Sequence, residues 1–181
     1  MIGKNSIPNP RRGEEVIIHL RRHPLIVIGV ALFFGLLIAL PPLLYLFAQV
    51  YNILGVIFDP ENAWYSAIVV LGYSYYLLLI VFALTAWTDY YLDTWTITTD
   101  RIINREQHGL FNRIVSELDI SNIQDVTAEQ KGLLATFFHY GTVYIQSAAE
   151  KERFSFEQIP DPYRIAKMIQ KLHETSKRSQ A

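Results

Sequence analysis

The sequence WTITTDRIINREQHGLFNR, residues 95–113, has the pattern of a β-hairpin in a folded domain. Trp95 and Ile97 alternate with threonines, which gives the segment one apolar face and one polar face. Asp100 and Gly109 are residue types that favour turns, and each lies between two strand-like runs. The segment therefore predicts short antiparallel strands.

The chain that follows continues the same pattern and then ends in a helix. RIVSELDI, TVYIQSA and RFSFEQI have the length and alternation of further strands. Asp161 and Pro162 are suited to the start of a helix, and an apolar stripe at helical spacing follows them. Trp95 and Tyr144 have the size to fill a small core. Short strands followed by one helix predict a small antiparallel β-barrel or sandwich capped by a C-terminal helix, an α+β domain.

Two long runs before this domain contain no Asp, Glu, Lys or Arg, at residues 24–58 and 62–88. A helix of about 20 apolar residues crosses the roughly 30 Å of bilayer hydrocarbon. We therefore predict a two-helix transmembrane hairpin, with helices at residues 24–51 and 64–87 and an external loop at 52–63. The alternative, a core helix of a soluble protein, is disfavoured by the length of both runs.

Trp64 and Trp87 mark the expected ends of the second span. They lie 23 residues apart, which is about 34 Å of helix. Indole rings favour the headgroup layers, so we predict that both tryptophans are membrane-interface anchors. Arg21 and Arg22, directly before the first span, are predicted to anchor the chain at the same interface.

The basic residues around the two runs predict the orientation of the hairpin. Arg21 and Arg22 precede the first run, and Arg101 and Arg105 follow the second, whereas residues 52–63 contain only Asp59 and Glu61 as charged groups. Because Lys and Arg are enriched in cytoplasmic flanks, both termini are expected in the cytoplasm. The predicted organisation is a cytoplasmic lead (residues 1–23), the multi-pass hairpin in an inner (plasma) membrane, and a cytoplasmic domain (residues 88–181).

Pro41 and Pro42 interrupt the first apolar run. Two adjacent prolines remove two backbone donors, which predicts a kink in the helix at that point. In the alternative interpretation, the span ends soon after the prolines and FAQVYNILGVIF lies along the outer interface. A role of the kink as a hinge or gate is a further hypothesis.

The sequence resembles the bacterial PH-like (pleckstrin-homology-like) domain family, in the form that carries two N-terminal transmembrane helices. The resemblance extends over residues 13–172 and is carried by four segments: GEEVIIHLRRHPL, WTITTDRIINREQHG, SELDISNIQDVTAEQKGLLATFFHYGTVYIQSA and FEQIPDP. It implies a PH-like fold for the C-terminal domain. It also implies an oligomerising or scaffolding role connected with envelope maintenance.

No residue pattern in the chain predicts catalysis, a metal site or a cofactor. The sequence has no cysteine, its histidines lack metal-binding spacing, and it lacks the common hydrolase, nucleotide and dinucleotide motifs. Asp89, Asp93 and Asp100 are interpreted as solvated acids at strand edges. The net charge of −1 shows no basic footprint for nucleic acid. We therefore expect no enzyme, no nucleic-acid partner and no identifiable small-molecule ligand.

Three partner hypotheses remain open. The first is a membrane-anchored scaffold that binds itself (a homo-oligomer) or another membrane protein, through a groove between an open strand edge and the C-terminal helix. The second is a sensor of anionic lipid headgroups in the bilayer, with Arg101, Arg105 and Arg113 as lipid-facing residues. The third is an accessory subunit of a membrane enzyme or transporter.

Overall fold

The computed structural model of the protein describes residues 9–51, 63–147 and 154–180. In chain order the elements are β1 (Val16–Arg21), α1 (Pro24–Val50), α2 (Ala63–Leu92), β2 (Thr94–Thr98), β3 (Arg101–His108), β4 (Asn112–Asp119), a short 3-10 helix (Ile120–Asn122), β5 (Ile123–Glu129), α3 (Leu133–Phe137), β6 (Tyr140–Ser147), β7 (Phe154–Pro160) and α4 (Pro162–Gln180). The chain divides into two compact units. Residues 27–88 form a helical unit, and the residues up to 26 together with those from 89 onward form a second unit, the β-domain.

The β-domain consists of two antiparallel sheets and α4. Strands β1, β2, β3 and β4 form the first sheet in that order, and β5, β6 and β7 form the second. The core lies between the sheets, where the rings of Trp95 and Phe156 are 5.7 Å apart, and α4 adds Ile165 and Ile169 to it. The alternation predicted for β2 is confirmed, since Trp95 and Ile97 are both buried in this core. Tyr144 is only half-buried, because it alternates with the core residues Val143 and Ile145 and so occupies the opposite face of β6.

The first strand of the β-domain precedes α1. In β1, Arg21 pairs with Thr94 of β2, and Leu20 is buried in the core. The sequence predicts a separate cytoplasmic lead at residues 1–23 and a folded domain that begins at residue 88. The structure differs because Ile18 and Leu20 supply an apolar face that completes the sheet on the far side of β2. The helical unit is thus inserted between two adjacent strands of one sheet.

The helical unit contains the greater part of each of the two long apolar helices, α1 and α2. Both are long and apolar enough to cross a membrane, judged by length and composition. No residue of α1 is buried, and most of the leucines along α1 and α2 are exposed. The first helix continues through Pro41 and Pro42 to Val50, so it does not end soon after the prolines. Residues 52–62, which include nearly all of the expected external loop, lie outside the described residues.

Candidate functional site

The β-domain has two ends that are defined by its own chain. We call the end at which residues 22–26 and 89–93 connect to the long helices the proximal end. The opposite end, which contains the turn between β2 and β3 at Thr99 and Asp100, is the distal end. Ile120 also belongs to the distal end, since its backbone nitrogen donates to the carbonyl oxygen of Asp100 at 2.9 Å.

Arg101 occupies the centre of a buried polar network at the distal end. Its Nε donates to Oε1 of Glu14 at 2.9 Å, and its Nη1 donates to Oε2 of Glu117 at 2.5 Å. Thr98 donates to the same Glu14 oxygen at 2.8 Å, and the carbonyl oxygen of Asn9 accepts from Arg101 Nη2 at 2.8 Å. Arg101 is only 4% exposed and Glu14 is fully buried. The expectation of a lipid-facing Arg101 is therefore wrong: its guanidinium lies inside the domain and neutralises a buried carboxylate.

The pKa values of this pair follow from their contacts. Burial alone would raise the pKa of Glu14, but hydrogen bonds from Arg101, from the Arg11 backbone and from Thr98 outweigh it, and the net pKa is lowered. The hydrogen bond to Glu14 raises the pKa of Arg101 in spite of burial, and Glu117 adds to this effect. Both groups are therefore charged at neutral pH, and the network stabilises the fold.

Four basic side chains on the outer face of the first sheet form what we call the basic strip: His19, Arg21, Arg105 and Arg113. Arg21 and Arg105 both pair with Thr94, from opposite sides of β2, so they lie in one row across the sheet. Burial lowers the pKa of His19, and the positive charges of Arg21 and Arg105 lower it further. Burial lowers the pKa of Arg105, and the positive charge of Arg113 lowers it further. These mutual effects indicate a concentration of positive charge on this face.

Arg21 and Arg22, both predicted as membrane-interface anchors, make contacts within the β-domain. The Arg21 guanidinium lies 4.9 Å from the centre of the Tyr91 ring. Nη2 of Arg22 donates to Oδ2 of Asp93 at 2.7 Å, and Nη1 donates to Oε1 of Gln158 at 3.2 Å. Arg22 therefore joins β1 to β7 and to the residue between α2 and β2. Trp64 and Trp87 are exposed near the two ends of α2, and their role as anchors stays a prediction.

Asp89 and Asp93 fix the end of α2 to the hairpin between β3 and β4. Oδ1 of Asp89 accepts from the backbone nitrogen of Gly109 at 2.8 Å, and Oδ1 of Asp93 accepts from that of Gln107 at 2.7 Å. The interpretation of Asp93 as a solvated acid is wrong, because it is only 2% exposed. Burial of Asp93 is tolerated because Arg22 and a backbone donor satisfy its carboxylate.

A groove runs between the edge strand β5 and the C-terminal half of α4, and we call it the distal groove. Its cavity of about 360 Å³ is lined by side chains of both elements: Ile123, Gln124, Asp125, Val126, Gln170, His173 and Glu174. A second cavity, of about 500 Å³, is lined by other residues of the same part of α4, including Leu172 and Thr175, and by Asp119 and Ser121. The side chains that line the groove include both apolar and hydrogen-bonding groups.

The edge of β5 is partly occupied by side chains. Gln170 Nε2 donates to the carbonyl oxygen of Val126 at 3.4 Å, and Oδ1 of Asp125 accepts from the backbone nitrogen of Val126 at 2.9 Å. The expected addition of a strand at this edge would have to displace both contacts. A partner in the groove would thus contact α4 and the side chains of β5 more readily than the β5 backbone.

The sequence model of a protein family described as bacterial PH domain matches residues 16–173 of this chain. The chain belongs to the bacterial PH domain family. The match begins at β1 and ends in α4, so it includes the strand that precedes the helical unit as well as those that follow it. The observed sheets and C-terminal helix agree with a PH-like fold, which confirms the fold that the resemblance implied.

One solved structure is similar to part of the chain. It is the crystal structure of a DUF1696 family protein with a pleckstrin-homology domain from Shewanella loihica PV-4, with 18% sequence identity and a TM-score of 0.37. The similarity covers 45% of this chain and 70% of that one. No curated protein matches the chain.

Sequence reasoning missed Glu14 as the partner of Arg101 and β1 as the first strand of the PH domain. Glu14 and Arg101 are 87 residues apart, and no local pattern links them. A signal for β1 was present, since VIIHLR alternates in the manner of a half-buried strand. Within residues 9–51, 63–147 and 154–180, no group of three or more His, Asp or Glu is placed to hold a metal ion.

Proposed function

We propose that this protein is a membrane-anchored PH-like interaction module. In this proposal α1 and α2 cross the inner (plasma) membrane as a hairpin, both termini are cytoplasmic, and the PH domain is tied to the membrane at its proximal end. The insertion of the helices between β1 and β2 is the single observation that carries the proposal, because it gives the domain two neighbouring tethers. A soluble protein rarely exposes apolar surface as extensive as that of these two helices.

The distal groove is the surface on which we propose that a protein partner binds. It lies along the half of α4 that is farther from the proximal end, since Nδ1 of His173 is 2.7 Å from the carbonyl oxygen of Ile120. A domain tied at its proximal end would therefore leave this groove accessible from the cytoplasm. Confinement to the membrane plane raises the effective concentration of neighbouring copies, so a second copy of the chain is a suitable partner as well as another membrane protein.

Site-specific photocrosslinking in native membranes tests the groove. A photoreactive residue at Gln170 or Glu174, both on the groove, is compared with one at Lys167, which is exposed on the same helix but does not line either cavity. We expect a discrete protein adduct, identified by mass spectrometry as a second copy or another membrane protein, from the groove positions and not from Lys167. Equal adducts from all three positions, or lipid adducts alone, would contradict the proposal.

The basic strip favours a second candidate function, the binding of anionic lipid headgroups. Arg101 is excluded from that role by burial, whereas Arg105 and Arg113 remain on the outer face with Arg21. Replacing both Arg105 and Arg113 by Gln would then reduce the phosphatidylglycerol that copurifies with the protein. A matched control replaces Lys177 and Arg178, two basic residues in the last turn of α4, by Gln. Equal lipid retention in both double variants would reject this candidate.

A further inference from the structure

We propose that two apolar elements at the proximal end of the PH domain insert into the lipid interface. Together they form what we call the apolar rim: Leu110 and Phe111 at the tip of the hairpin between β3 and β4, and Leu133, Leu134, Phe137 and Phe138 in and beside α3. This inference rests on the membrane anchoring proposed above and adds a second contact of the domain with the same bilayer. The ligand is a phospholipid surface that receives side chains, which is distinct from headgroup binding at the basic strip.

The side chains of the apolar rim are exposed to an unusual degree. Phe111 is 97% exposed, Leu133 is 91% exposed and Phe137 is 75% exposed. Single exposed apolar residues are normal on a protein surface, but α3 exposes two leucines and a phenylalanine within five residues. Clusters of this kind mark surfaces that contact a protein partner or a membrane.

The hairpin tip lies beside the last turn of α2. Oδ1 of Asp89 accepts from the backbone nitrogen of Gly109 at 2.8 Å, and Phe111 is two residues farther along the chain. Gly109 has a φ of +71°, which glycine adopts without strain and which fits the tight turn. The tip is thus fixed next to the point where the domain connects to α2.

Helix α3 lies near the start of α1 by a separate set of contacts. The His23 ring stacks on Tyr140 with 5.4 Å between ring centres, and His23 directly precedes Pro24, the first residue of α1. Phe138 is two residues before Tyr140, at most about 7 Å of chain. Both parts of the apolar rim are therefore close to the two points at which the chain leaves the domain.

The backbone around α3 is held in an uncommon conformation. His139, Gln158 and Asp161 have φ values of 54°, 56° and 48°, in the left-handed region that non-glycine residues seldom adopt. Hydrogen bonds secure them: the His23 nitrogen donates to the Gln158 carbonyl at 2.6 Å, and the Asp161 nitrogen donates to the His139 carbonyl at 2.8 Å. Such strain persists only where surrounding contacts fix it, which indicates that the position of α3 is specified.

A lipid surface fits these features better than a protein partner does. The rim consists of two separate apolar points, and a bilayer can receive both at once, whereas a protein partner would need two matching pockets. Basic side chains flank both points, with Arg113 beside the hairpin tip and Lys131 just before α3. Leu and Phe flanked by basic residues are typical of elements that lie in the interface of anionic membranes.

Spin labels on single cysteines test the inference in the full chain, which has no cysteine of its own. The protein is reconstituted in vesicles of phosphatidylethanolamine and phosphatidylglycerol at 3:1, and each label is measured for relaxation by oxygen and by a water-soluble nickel chelate. Labels replace Phe111 and Phe137 in the rim, Leu36 in α1 and Glu174 in α4. We expect Leu36 to be accessible mainly to oxygen, Glu174 mainly to nickel, and both rim labels to have an oxygen-to-nickel ratio between these two.

Each other result has a defined meaning. Rim labels that behave like Glu174 while Leu36 is in lipid would overturn the inference and leave the anchoring intact. Rim labels shielded from both reagents would also overturn it, because they would indicate a protein partner. Nickel access at Leu36 would contradict the membrane anchoring itself, and the inference would fall with it.

Discussion

At the scale of single residues, the most consequential contact is the one between Glu14 and Arg101. A carboxylate with no exposed surface is stable only because Arg101, Thr98 and a backbone nitrogen satisfy it. The guanidinium of Arg101 in turn makes its hydrogen bonds within the domain, so it is not available for a ligand. An arginine in the first hairpin of a PH-like domain therefore cannot be assigned to lipid from its position in the sequence.

Replacement of Glu14 by Gln tests this contact. Removal of one partner from a buried ion pair costs about 3 kcal/mol, so we expect that loss in the free energy of unfolding at pH 7. The folded pKa of Glu14 is below its ordinary value of 4.5. The stabilisation is therefore complete above pH 4.5 and is lost as the pH falls from there through the lower folded pKa, and the difference between wild type and variant should shrink over that range.

The control for this variant is Glu15→Gln. Glu15 is the next residue in the chain and is exposed. Its variant should therefore unfold like the wild type at pH 7 and also below pH 4.5. Thermal unfolding in detergent, followed by circular dichroism, provides the measurement. Equal losses for the two variants, or a loss for Glu14→Gln that does not change with pH, would contradict the assignment.

Gly141 shows what a single residue in the sequence can and cannot predict. Its place in the sequence, directly after FFHY, predicts either a positive φ or a close backbone approach. The structure has the second: a side-chain carbon at Gly141 would collide with the carbonyl oxygen of Glu129 on the neighbouring strand. The sequence predicts that a glycine is required at this position. It does not predict which atom imposes the requirement, because that atom belongs to another strand.

At the scale of elements, the strands and α4 were predictable because their patterns are local. Trp95 and Ile97 alternate with polar residues, Phe154 and Phe156 do the same in β7, and both pairs are in the core. The start of α4 at Pro162 follows from rules for helix N-termini. Strand β1 was missed because the whole helical unit separates it from its partner strand β2 in the sequence.

The role of β1 leads to a prediction about a minimal PH domain. We expect a folded protein without α1 and α2 when a four-residue glycine-serine linker connects residues 9–22 to residues 93–180. The linker is sufficient because Arg21 and Thr94 are neighbours across the sheet, so Arg22, the linker and Asp93 together have to span only the short distance between two paired residues. Amide NMR spectra should show the dispersed signals of a folded β-protein.

The matched control for this fusion is residues 88–181 alone. That fragment corresponds to the domain boundary expected from the sequence and lacks β1, so the edge of β2 and the core beside Leu20 would be uncovered. We expect poorly dispersed spectra and aggregation. A well-folded 88–181 fragment would show that β1 is dispensable and would contradict the description of the domain as one unit built from both sides of the insertion.

At the scale of the whole molecule, the architecture joins two kinds of sequence that are easily read separately. The charge-free runs predict long apolar helices, and the alternating segments predict a small β-fold with a C-terminal helix. Their relation in the chain was not predictable from either pattern, because the insertion point depends on a pairing between residues 16–21 and 94–98. The distal groove and the apolar rim likewise depend on contacts between segments that are distant in sequence.

Thiol labelling in intact cells tests the membrane anchoring most directly. The chain has no cysteine, so Glu61→Cys, between the two apolar runs, and Glu174→Cys, in α4, can be probed one at a time with a membrane-impermeant maleimide. The proposed topology predicts that Glu61→Cys reacts in intact cells, whereas Glu174→Cys reacts only after the inner membrane is permeabilised. Reaction of Glu174→Cys in intact cells, or recovery of both variants in the soluble fraction, would contradict it.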